Sequence, residues 1–241
     1  MKIKKVVISA AGQGTRMLHL TKNKPKHLIR VKRKPFLWYL IKNLLKAGYK
    51  EIILVGGYKI ELLKEFLKKY KIKAILLNQF EILGPKEKEY GTLCPIKCVK
   101  DIVKNENFLA VYGDNLYSPK DFKRFNILDD FCYVGALEHP HPEKYGALII
   151  KNGFLERIIE KPKKFYTNLI NTGLYKFTPE IFEKIPKVGL SPRGEYELTD
   201  AVSLLAKEKK VKIIKIKDYW IDFGNPGDIP NFAKFLAKKK I

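Results

Sequence analysis

In Ala10-Ala11-Gly12-Gln13-Gly14-Thr15-Arg16-Met17, two glycines follow a short apolar run. Glycine permits a tight turn in which successive backbone N–H groups point at one anion, so Ala11, Gly12, Gly14 and Thr15 are candidates for cradling phosphates. No Gly-Lys-Ser/Thr follows, which separates the loop from a Walker loop, and Met17 stands where a dinucleotide fingerprint has glycine or alanine. Arg16 lies beside this loop, and Lys26 follows in Thr21-Lys22-Asn23-Lys24-Pro25-Lys26-His27-Leu28. Two fixed cations at a phosphate loop suit a reaction between polyanions. Taken alone, the glycine pair also describes an ordinary strand-to-helix turn, and Lys26 an ordinary surface charge in a lysine-rich chain.

Asp114 closely follows the apolar run Phe108–Tyr112, at the carboxyl edge where open α/β sheets bind ligands, and Asp222 comes much later, in the aromatic segment Tyr219–Phe223. Their plainer readings are an Asp-Asn turn and a helix or turn cap. Gln79, at the end of a predicted strand, can offer one donor and one acceptor to the imide edge of thymine or uracil; a flipped amide presents the pattern cytosine needs, and a turn residue is the bland alternative. His139 and His141, separated only by Pro140, read as a loop.

The elements that must hold these residues alternate between short β-branched runs and helix-length amphipathic stretches, as in βαβ units with a mostly parallel sheet. Strands are predicted at Lys5–Ala10, Glu51–Val55, Lys73–Asn78 and Phe108–Tyr112, with helices at Pro35–Ala47, Ile60–Tyr70 and Thr92–Val103. In the second half, Asn152-Gly153 joins Gly146–Lys151 to Leu155–Ile159 as a hairpin, and Asn171–Phe177 and Lys212–Lys217 read as further strands of a mixed sheet. Helices are predicted at Pro179–Ile185, at Thr199–Lys207 with Thr199 as a cap, and at Gly227–Ala237. No internal repeat or linker interrupts the 241 residues, which suit one α/β domain with a small appended lobe.

A net charge of +23 first suggests a nucleic-acid binder, but lysine far outnumbers arginine and spreads over helix-like stretches. The expectation is a solvated surface with no specific nucleic acid. No apolar run reaches the roughly 18 residues of a membrane helix, and the start is not a signal peptide, so neither membrane nor export is expected. Cys94, Cys98 and Cys132 form no metal-type spacing; reduced thiols and a cytoplasmic location follow.

In order along the chain, AAGQGTRM, PKHLIRV, Gln79 followed by Tyr90-Gly91-Thr92, VYGDN at 111–115, Tyr145-Gly146, Glu160-Lys161-Pro162, Asn171-Thr172-Gly173, Arg193-Gly194-Glu195 and WIDFGNP at 220–226 resemble the sugar-1-phosphate nucleotidyltransferases, most of all the glucose-1-phosphate thymidylyl- and uridylyltransferase branches. The resemblance covers nearly the whole chain. It implies a Rossmann-like α/β three-layer sandwich with a small sugar-binding β lobe, a nucleotide-binding part at about 1–115 and a sugar-binding part at about 116–241. It also implies transfer of a nucleoside monophosphate to a sugar 1-phosphate in nucleotide-sugar biosynthesis. Arg16 and Lys26 take the catalytic positions, Ala11, Gly12, Gly14, Thr15, Gln79 and Gly91 the nucleotide positions, Tyr145, Gly146, Glu160, Lys161, Asn171 and Glu195 the sugar-phosphate positions, and Asp114 and Asp222 the Mg²⁺ positions. The partners implied are a nucleoside triphosphate and a sugar 1-phosphate, with a homo-oligomer left open. Ala11 replaces a frequent glycine, Leu93-Cys94-Pro95 replaces small residues, and Phe223 stands where a small polar residue is common. The chain ends soon after its last predicted helix, without the added segments of longer relatives, so no regulatory site or second activity of that kind is expected. Rival readings are a cytidylyl- or guanylyltransferase for another phosphorylated sugar or polyol, and a non-catalytic sensor or nucleic-acid-binding subunit on the same fold.

Overall fold

The computed structural model describes residues 2–85 and 89–239. In chain order the elements are β1 (Lys5–Ala10), a hairpin of β2 (Arg30–Val31) and β3 (Lys34–Pro35), α1 (Phe36–Ala47), β4 (Glu51–Gly56), α2 (Ile60–Lys69), β5 (Ile75–Asn78) and α3 (Gln79–Leu83). They continue with α4 (Cys94–Lys97), α5 (Lys100–Val103), β6 (Phe108–Tyr112), β7 (Asn115–Tyr117), α6 (Pro119–Arg124), β8 (Cys132–Glu138), β9 (Gly146–Lys151), β10 (Phe154–Glu160) and β11 (Leu169–Phe177). The last are α7 (Ile181–Lys184), α8 (Leu198–Lys207), β12 (Val211–Lys215), β13 (Trp220–Asp222) and α9 (Asp228–Lys239).

The main sheet runs β10-β9-β11-β6-β1-β4-β5, with β8 on β11 and β12 on β8. Strands β6, β1, β4 and β5 are parallel neighbours, and β11 turns the sheet antiparallel. Because side chains alternate across a strand, Val6 and Ile8 of β1 enter one core with α1 and α9, while Val7 enters the opposite core with α8. Both sheet faces are therefore covered, which makes the three-layer α/β sandwich. Its parallel strands need apolar residues on both faces, as Phe108–Val111 supplies. The expected hairpin forms at Asn152 and Gly153, both with positive φ (51° and 79°). All three cysteines are buried and free. No helix among the described residues is long and apolar enough to cross a membrane.

Several expectations need correction. The helix expected over Thr92–Val103 is two single turns, α4 and α5: Pro95 tolerates only a first turn, and the backbone leaves helical geometry at Val99 (φ −104°, ψ 2°). Thr199 caps nothing, because α8 already begins at Leu198 and Glu197 occupies the cap position without a side-chain bond. Gln79 opens α3 directly after β5, and Asn78 caps that helix by accepting from the Phe80 N–H at 3.1 Å. Strand β8, helix α6 and the β7–β13 pair have no counterpart among the predicted elements.

Candidate active site

The candidate residues of all four groups line one cleft of about 360 Å³. It opens at the carboxyl ends of the parallel strands β1, β5 and β6, and the second-half strands supply the opposite wall.

After β1 the chain enters the glycine loop. Gly14 adopts a left-handed conformation (φ 68°), and a Cβ there would lie 2.9 Å from the Lys26 Cβ, so the loop rests directly on the Lys26 stem. Lys26 begins the short turn Lys26–Leu28, and its Nζ forms an ion pair with Asp114 Oδ2. Asp114 reaches that position because Gly113 lets the chain pass tightly by: a Cβ would stand 2.8 Å from the Ser9 carbonyl and 2.9 Å from the His27 ring. His27 is itself buried, and burial, then the Lys26 charge, lowers its pKa to about 3; its Nδ1 has no hydrogen-bond partner. The imidazole therefore stays neutral.

Asp222 arrives on the two-stranded ladder of β7 and β13, where it pairs with Asn115 and the Phe223 N–H donates to the Asp114 carbonyl at 2.9 Å. The ladder thus brings the two aspartates near enough for their charges to interact. Burial works to raise the Asp114 carboxyl, but Lys26 overrides it and holds Asp114 below the ordinary carboxylate range. Asp222 is pushed up to about 6 by burial and then by the Asp114 charge, against the weaker pull of Lys26 and Arg16. Two hard oxygen donors of this kind, one of them raised by the other's charge, fit a divalent cation that keeps open positions for water and phosphate. No group of three or more His, Cys, Asp or Glu side chains able to hold a metal ion occurs among the described residues. The pair suits an ion completed by substrate oxygens, not a closed protein cage.

On the β5 side, Gln79 is 1% exposed and its Oε1 has no partner. Gly91 also lines the cleft, with φ 140°; a Cβ there would fall 2.2 Å from the Tyr196 carbonyl, so only glycine fits. The second-half wall is acidic. Arg193 meets Glu197 at 2.8 Å, Glu195 at 3.2 Å and Glu160 at 3.5 Å. Burial raises the Glu160 and Glu197 carboxyls, and Arg193 opposes the rise. Asn171 donates to the Tyr175 hydroxyl at 2.6 Å and accepts from the Gly173 N–H at 3.0 Å. Lys161 donates its backbone N–H to the Tyr145 carbonyl at 2.9 Å, and Gly146 leaves room for Glu160, whose Oε2 would be 3.1 Å from a Cβ.

Sequence reasoning missed Thr92, Asn115, Glu197 and Thr199, all of which line the cleft. Glu197 had a signal: it lies two residues past Glu195, the spacing that puts extended side chains on one face. Thr199 had none, since its buried, unpartnered Oγ1 is a fact of packing.

A model of the nucleotidyl transferase family matches residues 5–239. The chain belongs to that family. It is 36% identical, over 96% of its length, to a bifunctional sugar-1-phosphate nucleotidylyltransferase/acetyltransferase of Sulfurisphaera tokodaii, of which it covers 55%. It is 30% identical to the UTP–glucose-1-phosphate uridylyltransferase AglF of Haloferax volcanii, with 92% of each chain covered. A UDP-glucose pyrophosphorylase solved with UDP-glucose shares the fold at a TM-score of 0.83 and 24% identity, covering 98% of this chain and 99% of that one. The chain spans about half the length of the first curated relatives it matches.

Proposed function

We propose that this protein transfers a nucleoside monophosphate from a nucleoside triphosphate to a sugar 1-phosphate and releases pyrophosphate, with Mg²⁺ as cofactor. The observation that supports it best is the single cleft that joins a glycine loop and two cations to a paired carboxylate site and an acidic wall. An oxygen of the sugar phosphate attacks the α-phosphorus in line as pyrophosphate leaves, so no protein nucleophile or general base is required. Arg16 and Lys26 offset the repulsion as two phosphates meet, and the loop amides of Ala11–Thr15 hold the triphosphate. Asp114 and Asp222 hold Mg²⁺, which supplies neutralising charge on the phosphate oxygens when bound. Lys161 faces the sugar phosphate, while Tyr145, Gly146, Glu160, Asn171 and Glu195 receive the sugar. In this reading the nucleotide part is about 1–115 and the sugar part about 116–241.

The nucleotide is dTTP or UTP and the sugar phosphate glucose-1-phosphate. Gln79 supports the pyrimidine: its unpaired, buried acceptor is satisfied by the imide N–H of thymine or uracil. The name of the Haloferax relative supports UTP and glucose-1-phosphate. Comparing kcat/KM for dTTP, UTP, CTP and GTP with saturating glucose-1-phosphate tests the assignment. A pyrimidine imide nucleotide should lead; GTP or CTP as the best substrate would replace it with one of the rival transferases, and no turnover with any nucleotide would remove the sugar.

A further inference from the structure

Asp114 and Asp222 sit on different strands, and a metal pair is useful only if the two carboxylates keep a fixed relation. One carboxylate oxygen of Asp114 is held by Lys26. The other, Oδ1, accepts from the Asn115 side-chain Nδ2 at 3.0 Å. Asn115 is 5% exposed, and its Oδ1 in turn accepts from the Trp220 indole Nε1 at 2.6 Å. Trp220 opens β13, two residues before Asp222, and its ring packs edge-on against Tyr145 at 5.4 Å between centroids. The Tyr145 hydroxyl returns to Asp222 Oδ2 at 3.4 Å. The circuit Asp114–Asn115–Trp220–Tyr145–Asp222 therefore runs from one carboxylate to the other through side chains, beside the backbone ladder that already joins the strands.

The two ends of the Asn115 amide are not interchangeable here. An indole N–H only donates, so it requires the amide oxygen, and this leaves the NH₂ group toward Asp114. A flip would set two donors against each other and the amide oxygen against a carboxylate. Trp220 thus decides which way Asn115 points, and through it how Asp114 Oδ1 is oriented, at a distance of one residue from any metal contact.

We propose that Asn115 and Trp220 are positioning residues that lock the Asp114 carboxylate in register with Asp222 for divalent-cation binding. This rests on the reading of those aspartates as the metal pair. Outer partners of metal ligands typically change metal affinity about tenfold to a hundredfold when removed. The circuit is coupled in series, so removing either member should cost nearly as much as removing both.

The test is direct Mn²⁺ binding, read from the free-ion EPR signal in titrations of the full chain with a non-hydrolysable nucleoside triphosphate. Trp220→Phe removes the donor and keeps an aromatic ring; Asn115→Leu removes the link. Trp220→Phe should weaken Mn²⁺ binding about tenfold, with metal-free nucleotide affinity unchanged. Trp220→Phe/Asn115→Leu should be no weaker than Asn115→Leu alone. A lowered Tm with unaltered Mn²⁺ affinity in Trp220→Phe would make the bridge merely structural and overturn the proposal, as would full additivity. If Asn115→Leu does not fold, Trp220→Phe alone decides. Wild-type protein that binds no Mn²⁺, or an Asp222→Asn variant that binds it normally, would instead overturn the metal-pair reading on which the proposal rests.

Discussion

The two walls of the cleft solve opposite electrostatic problems. The first-half wall is built from backbone and cations: a glycine loop laid on Lys26, Arg16 at its edge, and one carboxylate already claimed by an ammonium. The second-half wall is built from carboxylates, three of them gathered on Arg193 with two raised by burial. Arg16 has no ion-pair partner among the described residues, whereas Arg193 has three. A wall whose positive charge is uncompensated suits a polyanion. A wall of buried and half-buried acceptors held by one guanidinium suits a ligand rich in hydroxyl donors. On the proposed reading, phosphate and polyol recognition are therefore separated along the chain: the segments after β1 and β6 deliver the first, and Glu160 of β10, Asn171 of β11 and the segment before α8 deliver the second.

The largest effect should come from the carboxylates placed between the walls. Asp114→Asn and Asp222→Asn are each expected to lower kcat with Mg²⁺ by about a thousandfold or more while leaving the fold intact, since each removes a charge holding the ion. Circular dichroism and turnover measured together check this. Activity near normal in either variant removes that residue from the metal pair. Lys26→Ala should reduce the single-turnover rate by about a hundredfold to a thousandfold, more than it weakens nucleotide binding, because its charge matters most as two phosphates meet. An effect confined to KM contradicts that division.

Gln79→Leu should lower kcat/KM for dTTP and UTP about tenfold to a hundredfold by removing a base contact in a buried site. An equal loss for GTP would show that Gln79 supports the loop and does not read the base. Arg193→Ala probes the other wall through stability. It strands carboxylates that burial already raises, at a cost of about 1–3 kcal/mol for the unmet groups. A carboxyl whose folded pKa lies above its unfolded value favours folding at low pH and loses that contribution as pH rises through the folded pKa. The Tm deficit of Arg193→Ala should therefore be small near about pH 4.5 and full near about pH 8. A deficit that grows toward acid would mean that the three glutamates are not the cause.

The first-half wall was far more legible in the sequence than the second-half wall, for a physical reason. Gly12 and Gly14 after an apolar run and Asp114 after Phe108–Tyr112 are local signals, each set by backbone conformation within a few residues. Strand β8 carries no such signal: Gly135 interrupts its apolar run, and the reason for that glycine is the Thr172 Oγ1 of the neighbouring β11, 2.6 Å from where a Cβ would stand. The lost cap at Thr199 likewise depends on a partner distant in the chain, since the first N–H of α8, on Leu198, donates to the Thr92 hydroxyl at 2.9 Å across 106 residues. Glu197 had only its spacing from Glu195 as a signal, while its surroundings are set by Arg193 and by Thr92, whose hydroxyl donates to it at 3.2 Å across 105 residues. The motif positions were found because family resemblance carries tertiary information that spacing alone does not.

On the proposed function, one cleft brings a nucleoside triphosphate and a sugar 1-phosphate together for in-line transfer. Pyrophosphate release measured with purified protein, UTP or dTTP, glucose-1-phosphate and Mg²⁺, each omitted in turn, tests it most directly. Release is expected only in the complete mixture, with the matching nucleoside diphosphate sugar formed one for one. Release without the sugar phosphate, or none under any combination of nucleotide and sugar phosphate, would contradict it.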